Sequence, residues 1–333
     1  MRRRDFIAGL GAAASPAIWP LAGRAQPGDR VRRIGVLIGN AENDPEARTL
    51  LAAFTQGLAE SGWTDGRNAR IDIRWGAGRV SRIRMLAKEL VDRQPEIILA
   101  SGTAVTAALR QETQTISIVF ALVGDPVGDG FVASLARPGG NITGFASQEA
   151  AMAGKWLELL TEIAPGIKRV AMIFNPDAAA GGGSYFLPPF EAAARLLNVA
   201  PIKAPVRSDA EIETVITSLA RESGSGLVVM PETFTTTHRA PIILLAARNH
   251  VPAVYAVSSY ARNGGLLSYG PDYRDIFRRA ALYVDRILRG EKPAELPVQV
   301  PAKFEMVLNL RTARALGLEV PPSILLRADE VIE

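Results

Sequence analysis

Short apolar segments alternate with helix-length amphipathic segments along most of this 333-residue sequence. In the first half, residues 33–39 and 97–100 are apolar enough to be buried strands, and residues 47–61 between them carry apolar side chains at helical spacing. Strands that alternate with helices of this length are typical of parallel β-α-β units. The series runs over residues 31–141 and starts again over residues 146–256, so the sequence predicts two α/β lobes with parallel sheets.

The remaining tail has a different order of segments. A strand over residues 265–270 precedes an amphipathic helix over 272–289 and a proline-rich stretch over 293–301. Such a tail can complete both halves, and lobes joined by several crossings leave a cleft that the carboxyl ends of the strands face. The predicted division is an N-terminal lobe of residues 31–143 plus 267–294 and a C-terminal lobe of residues 144–266 plus 295–330.

The first 25 residues predict a secretory signal peptide. A run of three arginines precedes an apolar stretch rich in Ala and Gly, and small residues at positions 23 and 25 suit a cleavage site. Residues 3–7, Arg-Arg-Asp-Phe-Ile, also resemble the twin-arginine pattern. We therefore expect an exported protein that uses the twin-arginine route, with an ordinary secretory leader as the alternative.

The composition excludes several kinds of site. The chain has no Cys and two His, which excludes disulfides, thiolate metal sites and cysteine nucleophiles and leaves little room for a multi-histidine metal site. After the leader, 34 basic and 33 acidic residues remain, with no basic stripe interleaved with aromatic residues. We therefore expect no cofactor, no metal and no nucleic-acid partner.

Three segments carry a resemblance to a known family. They are Gly-Asp-Pro-Val at 124–127, Leu-Ala-Arg-Pro-Gly-Gly-Asn-Ile-Thr-Gly at 135–144 and Gly-Gly-Leu-Leu-Ser-Tyr-Gly at 264–270. With these segments the chain, from residue 34 to about 318, resembles the ABC-transporter substrate-binding proteins of the tryptophan/tyrosine-binding type. The resemblance implies the type I periplasmic-binding-protein fold: two Rossmann-like lobes, three hinge crossings and a small ligand enclosed between the lobes. It also implies a free monomeric receptor in the periplasm that delivers its ligand to a membrane permease and ATPase.

Polar residues beside the cleft-facing ends of strands are the first candidate ligand contacts. Ser101 and Thr103 open a helix after a buried strand, where backbone N–H groups and hydroxyls suit a carboxylate, and a capping role is compatible with this. Asp125, Glu232 and Asp272 are candidate partners of a ligand ammonium group. Their alternatives are an Asx turn, an exposed loop carboxylate and a helix N-cap, respectively.

Four further residues complete the predicted site. Asn40 follows the first strand at a loop that borders the cleft in this fold, and Asn175 has the equivalent position in the second lobe, with a turn as its alternative role. Tyr255 and Tyr269 offer ring faces or hydroxyls to a ligand.

Catalysis has little support in the sequence. The chain has no Gly-x-Ser-x-Gly and no His-Glu-x-x-His motif, and His238 and His250 fall at opposite ends of one predicted helix. We predict an ABC-importer binding component that is not an enzyme and that closes on an amino-acid-like or carboxylate ligand by hinge motion. The alternatives are an exported α/β enzyme that uses a pair of cleft carboxylates, and a receptor that passes its liganded state to a membrane sensor.

Overall fold

The computed structural model describes residues 31–333, and two β-sheets organise them. The strands of the first sheet are β1 Arg32–Ile38, β2 Ala69–Trp75, β3 Ile97–Ser101, β4 Ser117–Val123 and β5 Ile142–Ala146. They are all parallel, in the order β2-β1-β3-β4-β5. The predicted signal peptide and twin-arginine pattern lie outside the described residues.

The second sheet has seven strands. They are β6 Arg169–Phe174, β7 Ala200–Pro205, β8 Ser225–Val229, β9 Ala253–Tyr255, β10 Leu267–Pro271, β11 Phe304–Asn309 and β12 Glu330–Ile332. Their order is β12-β11-β10-β9-β8-β6-β7, and only the β10–β11 pair among these strands is antiparallel.

Helices follow most of the strands, as the alternating pattern predicts. In chain order they are α1 Pro45–Glu60, α2 Val80–Asp92, α3 Thr103–Glu112, α4 Met152–Ile163, α5 Leu187–Leu196, α6 Asp209–Ala220, α7 Thr233–Thr237, α8 Arg239–Arg248, α9 Ser258–Arg262, α10 Tyr273–Leu288, α11 Leu310–Ala315 and α12 Pro322–Arg327. Two short 3₁₀ segments occupy Ala180–Gly183 and Pro293–Glu295. Among the described residues, no helix is both long and apolar enough to cross a membrane.

Each sheet lies between layers of helices and has its own core. One face of the first sheet packs on α1 and α10, and the other packs on α2 and α3. The second sheet carries a separate core with the large buried side chains of Trp156, Phe186 and Phe190. Hereafter the first lobe is the first sheet with α1–α3 and α10, and the second lobe is the second sheet with the other helices.

The chain passes between the lobes three times, as the type I fold requires. The crossings lie between β5 and α4, between β10 and α10, and between the 3₁₀ turn Pro293–Glu295 and β11. The predicted fold class of two Rossmann-like lobes is therefore confirmed.

The sheets place all three predicted boundaries between the lobes elsewhere. Residues 144–146 were expected in the second lobe, but they belong to β5 of the first sheet. Residues 267–271 were expected in the first lobe, but this strand pairs with β9 and β11 of the second sheet. Residues 295–299 were expected in the second lobe, but Leu296 and Val298 are buried in the cores of the first. Hydrophobic periodicity identifies an element and its buried face, whereas it does not say which of two similar sheets receives it.

Candidate functional site

A cavity lies between the two lobes at the carboxyl ends of their parallel strands. The space inside it that a water-sized sphere can enter is about 50 Å³, and the cavity is partly open to solvent. Its walls are the ends of β3 and β4, the loops and helical turns that follow β1, β3, β6, β8 and β10, and Val257 after β9. The lining residues are Asn40, Glu46, Ala47, Leu50, Ser101, Gly102, Thr103, Leu122, Ala178, Pro231, Glu232, Thr233, Thr236, Val257 and Tyr273.

The first-lobe wall contains the start of α3. Gly102 is the N-cap of this helix, with φ of 97°, and no side chain caps the first turn. Ser101 is buried beside it, and the Thr103 hydroxyl accepts a hydrogen bond from the Gly124 N–H at 3.4 Å. An uncapped helix start with adjacent hydroxyls presents partial positive charge and hydrogen-bond donors to the cavity.

The second-lobe wall contains Glu232, which is 9% exposed and caps the short helix α7. Its carboxylate accepts hydrogen bonds from the backbone N–H groups of Phe234, Thr235 and Asn175. Burial raises the pKa of Glu232 to about 7. The three N–H hydrogen bonds lower this pKa, because they favour the ionised form, but the effect of burial is larger. Both oxygens of this carboxylate are thus engaged within its own lobe.

The lobes touch through a buried ion pair. Both oxygens of Asp44 in the first lobe accept hydrogen bonds from the guanidinium of Arg239 in the second, each at 2.7 Å. The two side chains are 6% and 12% exposed, respectively. Asp44 also caps α1, so this contact fixes the start of a cavity-lining helix.

Two backbone approaches show how tightly the lobes meet. A Cβ atom built on Gly39 would lie 2.5 Å from Cγ2 of Thr233 in the other lobe, and one built on Gly124 would lie 2.8 Å from Cβ of Ala180. The carboxylate of Asp129 also accepts a hydrogen bond from the Gly181 N–H across the cleft, at 3.0 Å. The structure is therefore a closed arrangement of the lobes.

Four of the residues predicted as ligand contacts line this cavity: Asn40, Ser101, Thr103 and Glu232. Asp125 and Asn175 do not, since each side chain closes a turn. The Asp125 carboxylate accepts from the Gly128 N–H at 2.7 Å, and the Asn175 side-chain oxygen accepts from the Asp177 N–H at 2.8 Å.

The remaining three predicted contacts also lie outside the cavity. Tyr255 is 1% exposed and stacks on Tyr260 within the second-lobe core. Tyr269 packs on Phe304, 6.0 Å between ring centroids. Asp272 caps α10, and it borders a second cavity that adjoins the first.

Sequence reasoning missed several lining residues. Glu46, Leu50 and Tyr273 lie on helices, whereas the sequence criteria for a ligand contact point to residues at strand ends. Leu122 was missed for another reason: it adopts φ of 62° at an irregularity of β4, which no local pattern indicates. Glu46 carried a usable signal, because an acidic residue in the first turn after a cleft-facing strand lies at the edge where ligands bind.

The described residues include no group of three or more His, Asp or Glu side chains placed to hold a metal ion. The cavity walls offer hydroxyls, backbone N–H groups, two carboxyls and apolar surface. This donor set suits a small organic ligand.

Comparison with known proteins identifies the family. The model of the ABC transporter substrate binding protein family matches residues 43–332. The chain belongs to this family. It is thus a substrate-binding component of an ABC transporter, and the resemblance found in the sequence is confirmed.

Relatives of this substrate-binding protein include the tyrosine-binding protein of Clostridioides difficile (strain R20291). It is 23% identical over 292 residues, which cover 87% of this chain and 83% of the relative. A conserved domain protein from Vibrio cholerae has a similar structure, with 26% identity and a TM-score of 0.84 over 90% of this chain and 99% of that one. An ABC domain from Streptococcus pneumonia in complex with L-Trp has 24% identity and a TM-score of 0.83 over 91% of this chain and 100% of that one.

The buried Glu232 carboxyl generates a prediction about stability and pH. Its pKa is about 7 in the folded chain, and the ordinary value is 4.5. At pH values between these two, the folded chain therefore binds more protons than the unfolded chain does. The free energy of unfolding contributed by Glu232 is therefore largest below pH 4.5 and falls as the pH rises through 7, by about 3 kcal/mol. Urea unfolding between pH 4.5 and 8 measures this fall, and Glu232→Gln should lack it.

The comparison concerns the slopes of the two pH profiles, because Glu232→Gln also perturbs a helix cap. Glu213→Gln, on the exposed face of α6, is the matched control and should keep the wild-type profile. Parallel profiles for wild type and Glu232→Gln would contradict the prediction.

Proposed function

We propose that this chain is the periplasmic receptor of an ABC importer and that it encloses a small zwitterionic ligand of the amino-acid type between its lobes. The observation that carries the proposal is the composition of the interlobe cavity. Its walls combine an uncapped helix start and hydroxyls with two carboxyls and apolar side chains. One relative named for tyrosine binding and one structure holding L-Trp agree with this ligand class.

The ligand carboxylate is proposed to bind at the start of α3. The backbone N–H groups of the first turn and the positive end of the helix favour an anion there. The hydroxyls of Ser101 and Thr103 add hydrogen-bond donors beside those groups. No Lys, Arg or His lines the cavity within the described residues, so these neutral donors are the available carboxylate partners.

The rest of the ligand is proposed to lie against apolar side chains from both lobes. Leu50 and Leu122 belong to the first lobe, Val257 belongs to the second, and Tyr273 begins the helix that follows the second crossing. A ligand that contacts both lobes at once binds the closed arrangement better than the open one and shifts the population toward it. The closed monomer is proposed to present its ligand to a membrane permease and ATPase.

The proposal includes no catalytic step. The enzyme alternative requires two cleft carboxylates in one place, chosen from Asp125, Glu232 and Asp272. In the structure Asp125 closes a turn and Asp272 caps α10, both outside the interlobe cavity. Glu232 therefore lacks both of its expected partners, and Glu46 is the other carboxyl that lines the cavity among the described residues.

A ligand screen tests the proposed class. Purified protein is heated with the standard amino acids, simple carboxylates, sugars and purines, and the melting temperature is recorded. An amino acid at about a thousand times its dissociation constant should add roughly 4 kcal/mol of stability. Ser101→Ala and Thr103→Val should each weaken its binding by about 1 kcal/mol, because each removes one hydrogen bond.

Thr214→Val, at an exposed position of α6, is the control and should bind as wild type. A shift given only by sugars or purines would contradict the ligand class. Consumption of the bound compound would contradict the absence of catalysis.

Closure itself is testable through the contact between Gly39 and Thr233. A Cβ at Gly39 meets only atoms of Thr233 within the close range, so Gly39→Ala obstructs closure and leaves each lobe intact. We expect ligand affinity to fall by about 1–3 kcal/mol, the usual cost of overpacking, with an unchanged melting temperature of the free protein. Calorimetric titration measures the affinity, and a thermal melt without ligand measures the melting temperature.

Thr233→Ala removes the two closest atoms, so the double variant Gly39→Ala/Thr233→Ala should recover much of the lost affinity. Gly140→Ala is the control, because a Cβ there meets no atom within 4 Å. Equal weakening by Gly39→Ala and Gly140→Ala would argue against steric control of closure.

The proposed export route rests on the arginine pair at residues 3 and 4. Changing Arg3 and Arg4 together to Lys should retain the protein inside the cell, as measured by cell fractionation. Arg2→Lys keeps the pair and should leave export unchanged. Normal export of the double variant would favour the ordinary secretory route.

A further inference from the structure

The interlobe cavity has an unbalanced set of charges. Among the described residues that line it, the charged side chains are Glu46 and Glu232. A positively charged ligand group therefore has two possible acceptors in this cavity. They differ in how far their oxygens are already engaged.

Glu232 is committed to its own lobe. Its two oxygens accept hydrogen bonds from three backbone N–H groups and join the ends of β6 and β8 to the start of α7. A carboxylate with this many donors gains little from a further partner. These hydrogen bonds give Glu232 a structural role that does not depend on a ligand.

Glu46 differs from Glu232 in having no such partner. It lies in the first turn of α1 and is half-buried, and its carboxylate accepts no hydrogen bond and forms no ion pair within 4.0 Å in the part of the chain that the structure describes. Its neighbour Asp44, by contrast, receives both arms of the Arg239 guanidinium. An ionised carboxylate that is partly desolvated and unpaired is stabilised by a cation brought to it.

Burial and the charges around Glu46 act on its pKa in opposite directions. Burial raises the pKa of this carboxyl, and Asp44 on the same helix also raises it. The arginines that lower its pKa come from three other helices: Arg274 on α10, Arg262 on α9 and Arg239 on α8. Glu305 of β11 and Asp272, the N-cap of α10, border the adjoining cavity that Glu46 also lines.

The position of Glu46 relative to α3 matters as much as its charge. β1 and β3 are adjacent parallel strands, so the helices that follow them, α1 and α3, both begin at the carboxyl edge of the first sheet. Glu46 and the Ser101–Thr103 turn are therefore two chemically opposite parts of one wall, and both belong to the first lobe.

We infer that Glu46 accepts the positively charged group of the ligand and so makes the cavity select zwitterions over simple carboxylates. The inference rests on the proposed binding of an amino-acid-type ligand, and it names the residue that binds the ammonium group of that ligand. The ligand carboxylate binds at the start of α3 and its ammonium group binds Glu46. The first lobe alone thus recognises the charged ends, and the second lobe covers the remainder.

The test compares an amino acid with its des-amino analogue on the full-length protein. The twenty standard amino acids are titrated first by calorimetry, and the tightest binder is paired with its analogue; for L-tyrosine this is 3-(4-hydroxyphenyl)propanoate. Wild type should prefer the amino acid roughly 10- to 100-fold, the value of one hydrogen-bonded charge pair. Glu46→Gln should lose most of this preference and bind the analogue about as well as wild type does.

Two further readouts separate recognition from a structural role. Wild-type affinity for the amino acid should fall as the pH is lowered through the raised pKa of Glu46, and Glu46→Gln should lack this fall. Glu42→Gln, at an exposed position four residues earlier, is the matched control and should behave as wild type in both measurements.

The outcomes distinguish the two proposals. If wild type binds an amino acid and Glu46→Gln keeps the same preference over the analogue, the role of Glu46 is wrong and the ligand class stands. If wild type binds none of the twenty amino acids, the ligand class is wrong and the role of Glu46 falls with it. Equal wild-type binding of the amino acid and its analogue also overturns the role of Glu46.

Discussion

The buried pair of Asp44 and Arg239 is the interaction on which the arrangement of the site depends. Oδ1 of Asp44 caps the helix that carries Glu46, and both carboxylate oxygens of Asp44 hold an arginine of the opposite lobe. Separating the lobes exposes both charges to water, and bringing them together removes both from it. A pair of this kind adds little net stability, because desolvation offsets much of the attraction. The pair does fix how the two lobes are aligned. If the lobes met in another alignment, one of these buried charges would be left unpaired.

The two lobes contribute different groups to the walls of the cavity. The first lobe supplies an uncapped helix start, two hydroxyl-bearing residues and a carboxylate without a protein partner. The second lobe supplies Pro231, Thr233, Thr236 and Val257, and its one charged lining residue is occupied in capping α7. The uncapped helix start and the carboxylate without a protein partner therefore both belong to the first lobe among the described residues.

The fold could be predicted from the sequence because the alternation of strands and helices is local. The allocation of β10 could not, because a buried strand next to a crossing fits either sheet equally well by its pattern. The site was predictable only in outline. Strand ends correctly indicate where the cavity lies, but an aspartate at such an end has the same sequence signature whether it closes a turn, as Asp125 does, or binds a ligand. The sequence does not single out Glu46 as a ligand contact, because an acidic residue in the first turn of a helix is already explained by the helix dipole.

The origin of α10 has a consequence for the order in which the molecule is completed. This helix follows a strand of the second sheet, yet it packs on α1 and places Phe277, Ala280 and Val284 in the core of the first lobe. During synthesis, the first sheet and its other helices emerge long before this helix does. Until α10 has been made, the face of the sheet on which it packs has α1 but lacks its second helix, and the contacts between α1 and α10 join residues more than two hundred positions apart. The core of the lobe that begins the chain is therefore completed only after β6–β10 of the second lobe have been made.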